Sequence, residues 1–418
     1  MDDVAVPHSH RRSASTSPEV LAWRWLAAAL AIVGAVVLAA MVITWPARPH
    51  VSGSELQGQL VRATVQSTAP SACGSDGSCL TRVVARITSG PDRGHITSLD
   101  LTPGPTEPEL RAGDHIRLAR SVQTGGSVLY EFADVDRGQP LVLLAAIFVA
   151  AALLIGRWRG LAAVIGLIFA GAILVLYVVP ALVDGTAPLL VVLIAGSAVT
   201  LVVLPIAHGF STTTGVAVIG TLLGMSLAAA LAAVMVHSLH ITGLSSEEFA
   251  VLRLQGSHST VTGLFLAGAV IGALGVLNDV TVTQASAVRE LAAEEADRRV
   301  LFVAAMRIGR DHIASTTYSL VLAYAGSSLP LLLLFALAHE SAVDSLTSDA
   351  LAPALASGLI GGTALVLVVP LTTAAAAGLT RPRTRTNHRA TPQLAQDAWV
   401  CCTNGVYRVN GVSGGFHQ

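Results

Sequence analysis

Long apolar runs separated by short polar stretches organise the chain. Eight of them reach or approach the roughly 20 residues that a helix needs to cross about 30 Å of hydrocarbon. They are Leu26–Trp45, Pro140–Gly156, Leu161–Pro180, Pro188–Ile206, Gly215–Val236, Val261–Leu277, Ile313–Ala338 and Leu355–Leu379. The second is short and draws on its flanks. The seventh is long and holds Pro330, whose missing N–H predicts a tilt or a kink. A helix buried in a soluble core is also apolar, but eight such runs joined mostly by short loops point to a membrane bundle. The first run is long, sits late and lacks a small-residue cleavage pattern, so it reads as a retained anchor and not as a signal peptide.

The pattern changes between the first two runs. Segments rich in β-branched residues, Gln59–Gln66, Leu80–Thr88, His95–Leu101, His115–Arg120 and Ser127–Phe132, alternate with Gly90-Pro91, Pro103-Gly104, Gly113-Asp114 and Gly125-Gly126. Five short strands with turn signals between them predict a small β-barrel-like, OB-like domain. The expected fold class is an all-α polytopic membrane bundle of about eight helices carrying one small extracytoplasmic β domain. Its parts are a disordered cytoplasmic N-terminus (1–25), the first span (26–45), the β domain (46–139), a seven-helix membrane domain (140–379) and a disordered cytoplasmic tail (380–418).

Composition strengthens this picture. Of 418 residues, 53% are hydrophobic and 12% charged, against about 25% charged in soluble domains. The net charge of −1 gives no basic footprint for nucleic acid. All 25 basic residues are arginine, and their placement sets the orientation. With the N-terminus inside, the inner segments hold Arg11, Arg12, Arg24, Arg157, Arg159, Arg289, Arg298, Arg299, Arg307, Arg310, Arg381, Arg383, Arg385 and Arg389, whereas the short outer loops hold Arg253 alone. Both termini are therefore expected in the cytoplasm of a multi-pass plasma-membrane protein. Cys73 and Cys79 flank a Gly/Ser-rich loop outside the membrane, where an oxidising compartment predicts a disulfide. No metal site is expected, because no further ligands accompany that pair.

Candidate chemistry concentrates near residue 279. Gly268, Gly272, Gly275 and Asp279 are spaced by four, three and four, so they share one helical face. Small residues at that spacing let helices approach closely, which would turn Asp279 into the bundle. The next span begins with Arg310, Asp311 and His312 and continues with Ser315 and Ser319 at helical spacing. Together with Asn278 these residues form the expected proton relay or substrate path, since an ionisable residue in a membrane helix is a functional candidate by default. Asp279 also lies about 27 Å past Val261 along the helix, which leaves a position at the cytoplasmic boundary open. His237 and His240 sit one turn apart and read as interfacial. No catalytic signature is present, so the chain is not expected to be an enzyme and no cofactor is expected.

Four stretches make the chain recognisable. They are Tyr130-Glu131-Phe132-Ala133-Asp134-Val135-Asp136-Arg137, Gly272-Ala273-Leu274-Gly275-Val276-Leu277-Asn278-Asp279-Val280, Arg307-Ile308-Gly309-Arg310-Asp311-His312-Ile313-Ala314-Ser315-Thr316 and Val369-Pro370-Leu371-Thr372-Thr373. As a set they resemble the YibE/F family of polytopic membrane proteins, from about residue 25 to 380. The resemblance implies architecture and carries no activity. A weaker similarity links the glycine-rich helix that ends at Asp279, followed by Arg289, Glu290, Glu294 and Glu295, to the membrane core of RND and SecD/SecF proteins. Transport or channel activity, in proton-coupled form through Asp279, is the expected function. The alternative is a non-enzymatic envelope assembly or maintenance factor acting through the β domain. The expected partners are the lipid bilayer and a proton or small solute, with an oligomer left open.

Overall fold

A computed structural model of the chain describes residues 18–46, 59–73, 79–101, 109–123, 126–240, 261–293 and 297–379. The expectations for the remote termini, 1–17 and 380–418, lie outside the described residues. Helix α1 spans Pro18–Ile43 and leads to a five-stranded antiparallel sheet. Its strands are β1 Gln59–Cys73, β2 Cys79–Ile87, β3 Ile96–Leu101, β4 His115–Val122 and β5 Val128–Val135. Their order across the sheet is β3-β2-β1-β4-β5.

Alternation builds this domain's core. Val61, Ala63, Val65, Val83, Ala85, Ile87, Leu99, Leu101, Ile116 and Leu118 are buried at period two, as strand geometry requires. Register shifts at Val65/Ser67 in β1 and, opposite Arg117/Leu118, in β5, where Ala133 is the extra residue, bend the strands, as bulges do. The sheet accordingly curls into a half-barrel. Strands β3 and β5 approach each other but do not pair, so the barrel-like expectation is met by an open, curled sheet. The backbone register sets Cys73 opposite Cys79. Their side chains lie outside the described residues, and the expected disulfide with them.

The membrane region follows from Gly138. Helix α2 (Gly138–Ile173) runs through a π-helical turn, Leu174–Val178, into α3 (Val179–Val183). That stretch of 46 residues would rise about 69 Å if straight, far more than a bilayer. It is broken at Arg157, where φ is 50° and ψ −127°. A Cβ on Gly160 would run into the Ala152 carbonyl, although residues eight apart on a continuous helix are about 12 Å apart. The chain therefore folds back at Arg157, between the two apolar runs that the sequence separates there.

Six further helices complete the described bundle: α4 Pro188–His208, α5 Thr212–Leu239, α6 Val261–Leu291, α7 Arg298–Ser327, α8 Leu329–Leu337 and α10 Ala352–Leu379, with the short α9 (Ala342–Thr347) before the last. Ser211 caps α5 by accepting from the Thr214 N–H at 3.1 Å, satisfying one of the free donors of a first turn. Between α7 and α8 the axis bends by 60° at Ser328, two residues before Pro330, as the sequence anticipates. Six described helices are long and apolar enough to cross a membrane, and seven if α7 and α8 make one bent span.

Candidate functional site

Helix α6 is the axis of the bundle, packing on α4, α5, α7 and α10. Val270, Ala273, Leu277, Val280, Thr281, Gln284 and Val288 are buried and recur at spacings of three and four, so they line one face. The opposite face carries Gly268, Gly272, Gly275 and Asp279, all exposed. A Cβ added at Gly268 or Gly275 would meet nothing within 4 Å, whereas one at Gly272 would strike the Tyr324 hydroxyl of α7. Among the described residues, close helix approach thus occurs at Gly272 and not at Gly268 or Gly275.

Antiparallel packing of α6 and α7 brings Asp279 and His312 together. Asp279 Oδ2 lies 3.7 Å from His312 Nε2, an ion-pair separation too long for a hydrogen bond. The Asp279 side chain is 69% exposed and that of His312 25%. His312 Nε2 and Asn278 Oδ1 are buried atoms without a hydrogen-bond partner, and so is Thr317 Oγ1 further along α7. No hydrogen bond joins Ser315 or Ser319 to Asp279. Their hydroxyls donate back along α7, to the His312 carbonyl at 3.1 Å and the Ser315 carbonyl at 3.0 Å. Arg310 and Asp311 are exposed on the same helix.

A second polar layer lies one to two turns further along α6, and sequence reasoning did not assign it. Gln284 Nε2 donates to the Ala305 carbonyl of α7 at 2.9 Å and to Thr373 Oγ1 of α10 at 2.7 Å. The Thr373 hydroxyl in turn donates to the Val369 carbonyl at 2.7 Å. Thr281 and Thr221 share a hydroxyl–hydroxyl bond of 2.7 Å between α6 and α5, and Thr372 Oγ1 nearby is buried without a partner. The signal was present in the spacing of Leu277, Thr281, Gln284 and Val288, which prolongs the buried stripe past Asp279. Gly309 makes the junction possible, because a Cβ there would sit 2.8 Å from Val369 Cγ1 and 3.0 Å from Gln284 Oε1.

The β domain holds its own charged cluster, also unassigned from sequence. Asp92, in the β2–β3 turn, accepts from Arg120 Nε and from the Tyr130 hydroxyl, each at 2.5 Å. The Arg120 bond, then the Tyr130 bond, hold the Asp92 carboxyl below the usual carboxylate range. Burial, then the same contact, pushes the Tyr130 hydroxyl up. This network pins the turn across β4 and β5. Among the described residues no group of three or more His, Cys, Asp or Glu could hold a metal ion.

With this geometry in place, comparison with known proteins is informative in one respect. A family model described as YibE/F-like protein matches residues 144–382, more than half of the chain. No curated protein and no solved structure matches it, those of RND and SecD/SecF proteins included.

Proposed function

Because the chain belongs to the YibE/F-like family, whose matched region is the helical bundle, we propose that this bundle is a transport or channel domain for a small solute, coupled to protons through Asp279 and His312. One observation carries the reading: where α6 meets α7, Asn278 Oδ1 is buried without a partner beside the Asp279–His312 pair, whose Nε2 makes no hydrogen bond. An unsatisfied buried polar atom costs about 1–3 kcal/mol, and a charged side chain at the centre of a span about 2.5–3.5 kcal/mol. Several such costs at one seam are intelligible if water, protons or solute pass there.

In this reading the Arg157 break divides α2 into two spans, giving eight, with both termini cytoplasmic and the β domain outside the plasma membrane. Cys73 and Cys79 form a disulfide there, and no catalytic step is assigned to the chain. Asp279 serves as the titrating acid, His312 as its partner, and Asn278 and Thr317 as polar lining.

The test is proton flux into proteoliposomes under an imposed potassium diffusion potential, followed with an entrapped pH dye. Wild-type protein should exceed empty liposomes, and Asp279→Asn, checked for insertion and monodispersity, should fall to their level. Asp279→Glu should retain part of the flux, because its carboxylate survives one methylene away. Full flux through Asp279→Asn, or none through the wild type, refutes the proposal.

A further inference from the structure

The junction between the β domain and α2 combines two chemistries in one cavity of about 720 Å³. Its upper wall is basic, with Arg62 from β1 and His115 and Arg117 from β4. Its lower wall is apolar, with Val142, Leu143 and Ala146 from the first turns of α2. Asp136 lies at the hinge between them, with a side chain 14% exposed. One of its oxygens accepts from the Gly138 N–H at 3.1 Å and from Arg117 Nη2 at 3.1 Å. The other faces Arg62 Nε at 3.4 Å.

The charges do not balance. Three guanidiniums, Arg62, Arg117 and Arg137, face two carboxylates, Asp136, already committed to the helix start, and Asp134, which pairs with Arg137 at 2.8 Å and lies opposite Arg117 in the sheet. One positive charge remains, before any contribution from His115. The guanidiniums also keep donors free, since Arg62 is 68% and Arg117 43% exposed. Planar guanidinium forks match the geometry of phosphate oxygens. Directly below, Val142 and Leu143 are exposed at the start of a helix apolar enough to cross a membrane. A ligand that fits must therefore be anionic at one end and aliphatic at the other, at the depth where the bilayer begins.

We propose that this cavity binds one anionic phospholipid from the leaflet on the β domain's side, with its phosphate on Arg62 and Arg117 and an acyl chain along Val142, Leu143 and Ala146. The volume lies within the range of small-molecule sites and suits a headgroup with the first carbons of its chains. The lipid would tie the sheet to the membrane surface and fix its tilt relative to α2. The inference is independent of any role for Asp279.

The experiment is native mass spectrometry of the delipidated full-length protein in detergent, titrated with phosphatidylglycerol. Wild-type protein should bind the first phosphatidylglycerol at least about tenfold more tightly than the Arg62→Gln/Arg117→Gln variant, and more tightly than it binds phosphatidylcholine. Excess inorganic phosphate should not displace the lipid. If the double variant is not monodisperse, Val142→Trp, which fills the apolar half without touching Asp136, should give the same loss. Unchanged phosphatidylglycerol affinity in either variant, equal affinity for phosphatidylcholine, or displacement by phosphate alone overturns the proposal.

Discussion

Replacing Gly309 by alanine should destabilise the membrane bundle, although alanine is the better helix former. An alanine Cβ would lie 2.8 Å from Val369 Cγ1 and 3.0 Å from Gln284 Oε1, whereas apolar carbons rest about 3.5–4.0 Å apart. Helix α7 must then withdraw by roughly 1 Å from α10 and from Gln284 of α6. The Gln284–Ala305 bond, now 2.9 Å, would lengthen past hydrogen-bonding range. Overpacking of this kind costs about 1–3 kcal/mol, and an interhelical hydrogen bond in a membrane is worth about 0.6 kcal/mol. Helix propensity returns about 1 kcal/mol. The net expectation is a loss of about 0.6–2.6 kcal/mol. Gly275→Ala is the matched control: nothing lies within 4 Å of its added Cβ, so propensity acts alone and the protein should be unchanged or stabilised by up to about 1 kcal/mol. Unfolding of the full chain in mixed micelles, titrated with denaturing detergent and followed by circular dichroism, reads both. Equal signs for the two variants would refute the reasoning, and a destabilised Gly275→Ala protein would refute the open face of α6.

Three further outcomes follow from the β domain and the charge pattern. Asp92 has a lowered carboxyl pKa in the folded state, so the stability it contributes is fully present above its unfolded pKa of about 4 and drains away as pH falls through the folded value. Asp92→Asn should lower the thermal stability of the full chain's β domain at neutral pH, with the gap to wild type closing in acid, and a gap independent of pH counts against the network. Mass spectrometry of alkylated, unreduced protein should find Cys73 and Cys79 unmodified, a short-loop bond worth about 2–3 kcal/mol by chain entropy, and free alkylation of both thiols contradicts it. In intact cells an impermeant thiol reagent should label a single cysteine placed at Gly90 and spare one placed at Ala296, and the reverse pattern would invert the topology.

For a physical reason, the linear order of residues was enough to determine the membrane class, the β domain and the presence of its five strands, although β1 runs on to Cys73, past the expected end at Gln66. Apolar runs and period-two alternation record solvent contact residue by residue, and each run or strand here keeps one character along its length. Val61, Ala63 and Val65 are buried while Arg62 and Thr64 between them are not, the alternation that a strand with one covered face requires. The Pro330 bend was legible for a similarly local cause, a missing backbone donor. Helix ends were not legible where apolar character gives way to amphipathic packing. Helix α6 continues to Leu291 and α7 starts at Arg298, because Thr281, Gln284, Leu301 and Ala305 are buried by other helices, a fact that no local window contains. The site shows the same division. The spacing of Gly268, Gly272, Gly275 and Asp279 set a shared face, yet whether that face meets protein depends on where α7 lies, and the fold brings the Tyr324 hydroxyl against Gly272 while a Cβ at Gly268 or Gly275 would meet nothing within 4 Å. The meeting of Asp279 with His312, of Gln284 with Thr373, and of Arg62 and Arg117 with Asp136 was likewise decided by tertiary structure alone. Each of these pairs joins distant parts of the chain, and only the packing of helices and strands brings them within reach of one another.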